Sequence, residues 1–183
     1  MRAVWASALS PARLGHVLRA NRGEILVWAS ALGVYIVVVV QITYWLLNGP
    51  IPPEAAAEAR AFREDYLAPS RLFSAAILAP LIETWLIVKG VDALHDLRWR
   101  GWRALAVAAL VAAVMHYFAR GAFSALYNAC FFALMARIYL KSAYENEKRG
   151  ENRPAAIALL IALHVINNAV ALGMIGFYAR SPA

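Results

Sequence analysis

The sequence predicts an all-α protein, a polytopic transmembrane helical bundle of about five spans with an N-terminal interfacial helix, and three observations carry that expectation. Hydrophobic residues make up 62% of the 183-residue chain and charged residues only 16%, a balance beyond that of an ordinary soluble domain. The apolar residues fall into runs near the roughly 17–25 residues that a hydrocarbon core about 30 Å thick requires. Those runs are continuous rather than alternating, so they read as helices and not as the strands of a barrel.

Taken in order, Met1 to Glu24 carries Arg2, Arg13, Arg19 and Arg22 on a mixed apolar background, the pattern of a helix lying in the membrane interface. The first span, 25–47, is longer than the h-region of a secretory signal and reads as a retained anchor. Asn48-Gly49-Pro50-Ile51-Pro52-Pro53 ends it, and a helix-prone stretch of mixed charge, acidic overall, runs from Glu54 to Asp65. The second span, 72–91, contains Pro80, which bends or loosens a helix and frees backbone carbonyls. The third, 102–118, and the fourth, 122–140, are separated only by Arg120-Gly121, which marks either a tight turn or a bent helix. The bent helix lowers the count to four. The fifth span is 155–178.

Two connectors are basic. One, from about Asp92 to Arg103, carries Arg98, Arg100 and Arg103 beside Lys89; the other, Arg137 to Arg153, adds Lys141, Lys148 and Arg149. With the basic N-terminus they are expected in the cytoplasm, and the acidic loop and C-terminus outside, in a bacterial inner membrane. The net charge of +7 sits in these connectors, which favours contact with anionic lipid headgroups and argues against nucleic acid. No repeat or second soluble domain is visible, so residues 1–183 are expected to form one integral membrane domain whose motif-bearing core is 72–178. Cys130 stands alone in an apolar run; it excludes a disulfide framework and reads as a buried structural thiol. His16 and His95-Asp96 read as solvated surface groups.

Glu83, His116, His164 and Asn168 stand inside apolar runs, where an unpaired polar group costs several kcal/mol and defaults to a functional reading. Counted from the inner span ends at 1.5 Å per residue, Glu83 lies roughly 9–12 Å deep, His164 about 16 Å, His116 about 20 Å and Asn168 about 22 Å. His164 and Asn168, four residues apart, share a helix face, so the amide is placed to hold the imidazole tautomer or a common ligand; Asn167 points nearly the same way. A carboxylate with two imidazoles is the equipment of a water-activating site. Glu83, His116 and His164 also match a catalytic zinc set in type, without an HExxH spacing, so no obligatory metal is expected. His116 and His164 are alternatively the axial pair of a haem b. The bland reading makes Asn168 interhelical glue.

These residues resemble the motifs of the CPBP group of intramembrane proteases, which includes the type II CAAX prenyl endopeptidases and bacteriocin-processing or self-immunity proteins. The resemblance covers about Leu78 to Asn168. Ala79-Pro80-Leu81-Ile82-Glu83-Thr84 matches the family's Ala-Pro-x-x-Glu-Glu opening with threonine for the second glutamate, and Val88 replaces the arginine that follows, Lys89 lying about 100° further round the helix. The second motif keeps His116 but has Ala112 for its aromatic. The third, His-x-x-x-Asn, is satisfied by His164-Val165-Ile166-Asn167-Asn168, with Leu160 where an aromatic often stands. The resemblance implies an endopeptidase acting on a peptide or membrane-anchored protein: Glu83 is the base that activates water, His116 stands beside it, and His164 and Asn168 polarise the scissile carbonyl. The missing glutamate and arginine also fit a catalytically silent member that binds a partner in immunity or protein sorting.

Overall fold

The computed structural model describes residues 10–48, 64, 68–99, 101–145 and 151–179. Arg2, the Gly49–Pro53 cluster, nearly all of the Glu54–Asp65 stretch, Arg100, Lys148 and Arg149 lie outside the described residues. Every regular element among those described is helical: α1 (Pro11–Ala20), α2 (Arg22–Asn48), α3 (Pro69–Phe73), a π-helical turn (Ser74–Leu78), α4 (Ala79–Asp96), α5 (Trp102–Leu140), a second π-helical turn (Lys141–Glu145) and α6 (Arg153–Ala179).

Local sequence accounts for the starts and breaks. Ser10 caps α1 by accepting the Arg13 N–H at 3.4 Å, with Pro11 at the first helical position. At Asn21 the chain turns by 71° into α2. The first π-helical turn has its cause in Pro80, which has no N–H and whose ring crowds the carbonyl of the preceding turn. The Ala79 N–H bonds to the Ser74 carbonyl, five residues back. The Ala75 carbonyl is thereby left without a helical donor at i+4, where Ala79 is engaged, or at i+5, where proline offers none.

The chain forms two compact units, Met1–Ala29 with Glu83–Ala162, and Ser30–Ile82 with Leu163–Ala183. In the first unit, α5 is not a straight rod. His116 and Phe132 are sixteen positions apart, about 24 Å along a straight helix at 1.5 Å per residue, yet their ring centroids are 5.7 Å apart. The run therefore doubles back in the interval where Arg120-Gly121 interrupts the apolar sequence, giving two limbs, 102–118 and 124–140. They differ in surroundings. The second limb is packed, with Met135, Ala136, Ile138 and Tyr139 buried, whereas the first exposes Leu110, Val111, Val114, Met115, Tyr117 and Phe118. Cys130 is exposed, not buried as the sequence suggested, because it lies on the outward face of an otherwise packed limb.

One end of this unit is laced by polar contacts. Asp92 accepts hydrogen bonds from the Tyr139 hydroxyl at 2.9 Å and the Tyr144 hydroxyl at 2.5 Å, and pairs with Arg153. Lys141 Nζ bonds both carboxylate oxygens of Glu24, at 2.8 and 3.1 Å. Buried Asn21 donates to the Ser142 hydroxyl at 2.8 Å, and Arg13 donates to the Glu151 carbonyl at 3.0 Å. The N-terminal segment and both basic connectors thus meet at the same end.

Among the described residues two helices are long and apolar enough to cross a membrane, Pro69–Asp96 and Arg153–Gly173, and a third if the bent pair Pro11–Ala20 and Arg22–Val38 counts as one span. That is fewer than the five expected. The expected third and fourth spans both fall in α5, and the described part of its first limb, Trp102–Phe118, is a shorter apolar helix of about 25 Å against a hydrocarbon core of about 30 Å.

Candidate functional site

Glu83 and His116 come together in the first unit. Both line a cavity of about 130 Å³ formed by α4 and the two limbs of α5. Residues 83, 87, 90 and 94 of α4 recur every three or four positions and so share one face, as do 104, 108, 111, 112 and 115 of α5. The small side chains Ala104, Ala108 and Ala112, spaced by four, and Gly90 leave the space that larger residues would fill. A Cβ built on Gly90 meets nothing within 4 Å. Glu83 and His116 are the ionisable groups in this lining; the rest is aliphatic apart from Phe132. The volume admits several waters, and a water needs polar partners to stay, which in this lining are the two ionisable side chains.

The imidazole of His116 is fixed in orientation. Its Nδ1 lies 2.9 Å from the Ala112 carbonyl, and because a carbonyl only accepts, Nδ1 carries the proton. In the neutral ring Nε2 is then the acceptor, and it has no hydrogen-bond partner among the described residues. The ring also packs edge-on against Phe132. A helix carbonyl four residues back thus does the tautomer-setting that a carboxylate or amide does elsewhere.

His164 and Asn168 belong to the second unit. His164 is buried, at 1% exposure. Asn168 does not hold its imidazole, as the i, i+4 spacing suggested: the amide nitrogen donates at 2.8 Å to the Ala75 carbonyl, and the amide oxygen receives a long contact, 3.5 Å, from Asn167. The carbonyl it satisfies is the one orphaned by the π-helical turn and Pro80. A half-buried backbone acceptor takes precedence because leaving it unmade in an apolar surrounding is costly. No three His, Cys, Asp or Glu side chains converge as a metal set among the described residues.

Sequence reasoning missed the cluster at the laced end. His95, taken for a solvated group, stacks on Tyr144 at 3.8 Å between centroids, and Tyr139 and Tyr144 share Asp92 with Arg153. Burial, with the hydrogen bond to Asp92 after it, pushes the Tyr144 hydroxyl up to about 12. The signal available was an aspartate at the tail of an apolar run, Val88-Lys89-Gly90-Val91-Asp92; its partners, 47 to 61 positions away, leave no local pattern.

The fold defines a class, an all-helical protein with two to three helices long and apolar enough to cross a membrane. No family model, curated protein or solved structure matches the chain.

Proposed function

We propose that the chain is an integral membrane endopeptidase of the kind its motifs resemble, cutting a peptide or membrane-anchored protein with glutamate-activated water. One observation carries this reading: Glu83 and His116, on different helical segments, line the same otherwise apolar cavity. In the reaction the Glu83 carboxylate takes a proton from water as the water oxygen attacks the scissile carbonyl. The C–N bond then breaks and the proton passes to the leaving amine. His116, with Nδ1 tied to the Ala112 carbonyl, presents Nε2 to that water. Both limbs of α5 cross the bilayer in this reading, giving five spans, with the laced, basic end in the cytoplasm of a bacterial cell.

A second reading, a binding protein without chemistry, is favoured by the Asn168 amide, whose nitrogen is engaged by the Ala75 carbonyl rather than offered to a substrate oxyanion. Cleavage of membrane-anchored reporters in cells at matched expression of wild type, Glu83→Gln, His116→Ala and His164→Ala separates the two. Loss of processing in Glu83→Gln and His116→Ala is expected. A biological phenotype that persists unchanged in both establishes the binding protein instead.

A further inference from the structure

The turn between α4 and α5 carries a residue that its backbone disfavours. The Arg98 N–H bonds to the His95 carbonyl at 2.9 Å and the Trp99 N–H to the Leu94 carbonyl at 2.8 Å, the pair of bonds that closes a helix when the residue after the cap is left-handed, usually glycine. Here that residue is Arg98, at φ 61°, a conformation in which a Cβ crowds its own carbonyl. Glycine would fit better, and three residues on a positive φ of 62° is held by a glycine, Gly101. A strained arginine in a turn points to a task for its charge.

Its surroundings say which task. Leu97 is 68% exposed, Trp99 45% and Trp102 73%, and Arg98 and Arg103 are exposed beside them. The Arg103 guanidinium lies 6.0 Å from the Trp102 ring centroid, which holds charge and indole together. Exposed indoles next to guanidinium groups at the end of an apolar helix suit the boundary between acyl chains and headgroups: the indole prefers the interface, and the guanidinium takes phosphate oxygens bidentately. From Trp102 an exposed aliphatic stripe, Leu110, Val111, Val114 and Met115, continues along the first limb of α5 to Tyr117 and Phe118. A lipid-facing helix has this layout, aromatic at both ends and aliphatic between.

We infer that Arg98, Trp99, Trp102 and Arg103 form a binding site for anionic phospholipid headgroups, with Arg98 and Arg103 holding the phosphate and Trp99 and Trp102 seated at the glycerol level. This rests on the membrane reading above but not on the peptidase reading.

The test is the full chain reconstituted in phosphatidylcholine vesicles doped with phosphatidylglycerol. Tryptophan quenching by the brominated form of each lipid gives the relative affinity of the annulus for the two. Wild type is expected to prefer phosphatidylglycerol. Arg98→Gly should lower that preference about fivefold, the equivalent of about 1 kcal/mol for one basic residue near an anionic surface, while leaving the unfolding midpoint unchanged or raised because the left-handed strain is relieved. Arg103→Gln, which touches no strained backbone, should lower it by a similar factor. A protein that reconstitutes normally but shows the same preference in wild type and both variants overturns the site; one that does not enter the vesicles at all overturns the membrane reading beneath it.

Discussion

Glu83 and Asn168 are the same kind of residue to a reader of the sequence, each a polar group inside an apolar helix, and the molecule uses them differently. Around Glu83 the chain keeps small residues, Gly90, Ala104 and Ala108, and leaves a cavity that a second ionisable group, His116, also lines. Around Asn168 the amide nitrogen donates to the Ala75 carbonyl and so completes the hydrogen bonding where Pro80 and the π-helical turn break the ladder. A polar side chain in an apolar helix is therefore evidence of function only after the backbone's own unmet needs have been counted.

The largest effect that sharpens this contrast is on Glu83. Glu83→Gln keeps shape and volume and removes the base, so cleavage should fall by about 10²–10⁴-fold, the usual contribution of a general base, with the unfolding midpoint little changed. His116→Ala should also lower cleavage, whereas His116→Asn, which can still reach the Ala112 carbonyl, tests whether orientation alone suffices. Rates measured on a purified, reconstituted enzyme with a membrane-anchored substrate decide the matter. A Glu83→Gln protein that cleaves at the wild-type rate would remove Glu83 from the chemistry.

Asn168 should behave in the opposite way. Asn168→Ala leaves the Ala75 carbonyl unmet and should cost about 1 kcal/mol, the scale of hydrogen bonds between membrane helices. Pro80→Ala supplies an N–H at the position where Ala75 lacks one, so the two changes are coupled. In the double variant the loss should be smaller than the sum of the single losses by about 0.5–1 kcal/mol. Equilibrium unfolding of the four proteins in mild detergent gives the cycle; strict additivity would mean that Asn168 and the proline break are unrelated.

These two positions also show what was legible. The helices were, because long apolar runs have one outcome for the backbone in a solvent without hydrogen-bond partners: the predicted 72–91, 102–118, 122–140 and 155–178 all fall within helices. The proline break was legible in kind, since Pro80 announces freed carbonyls. Its partner was not, because which side chain reaches Ala75 depends on packing 93 positions away. The i, i+4 spacing of His164 and Asn168 was read as cooperation, but a shared face says only that two side chains point the same way. Arg120-Gly121 marked an interruption in α5, and the short distance between His116 and Phe132 shows the chain turning back between those two residues, yet no periodicity distinguishes a reversed helix from a bent one. Asp92 went unread as the centre of a cluster because a carboxylate near a helix end is ordinarily solvated.

That cluster supplies the mildest prediction, one that is silent at neutral pH. The Tyr144 hydroxyl is raised from about 10 to about 12, first by burial and then by donating to the Asp92 carboxylate at 2.5 Å. Losing that proton would set a phenolate against a carboxylate. A folded-state value above the unfolded one means that the stabilisation is whole below pH 10 and is lost as pH rises through about 12. Thermal unfolding between pH 8 and 12, with tyrosinate absorbance followed in parallel, should therefore show a midpoint that is flat to about pH 10 and falls beyond it. Asp92→Asn removes the charge while keeping an acceptor oxygen, so Tyr144 should ionise at lower pH and the alkaline fall should become shallower, even as the lost pairing with Arg153 lowers the midpoint at neutral pH. The contrast with Glu83 then closes within one unit: one carboxylate has its oxygens taken by two hydroxyls and a guanidinium and holds helix ends together, while the other lines a cavity. A Tyr144 that titrates identically with and without the Asp92 charge would show that burial alone sets its value and that the aspartate's hold on this end of the unit is through Arg153.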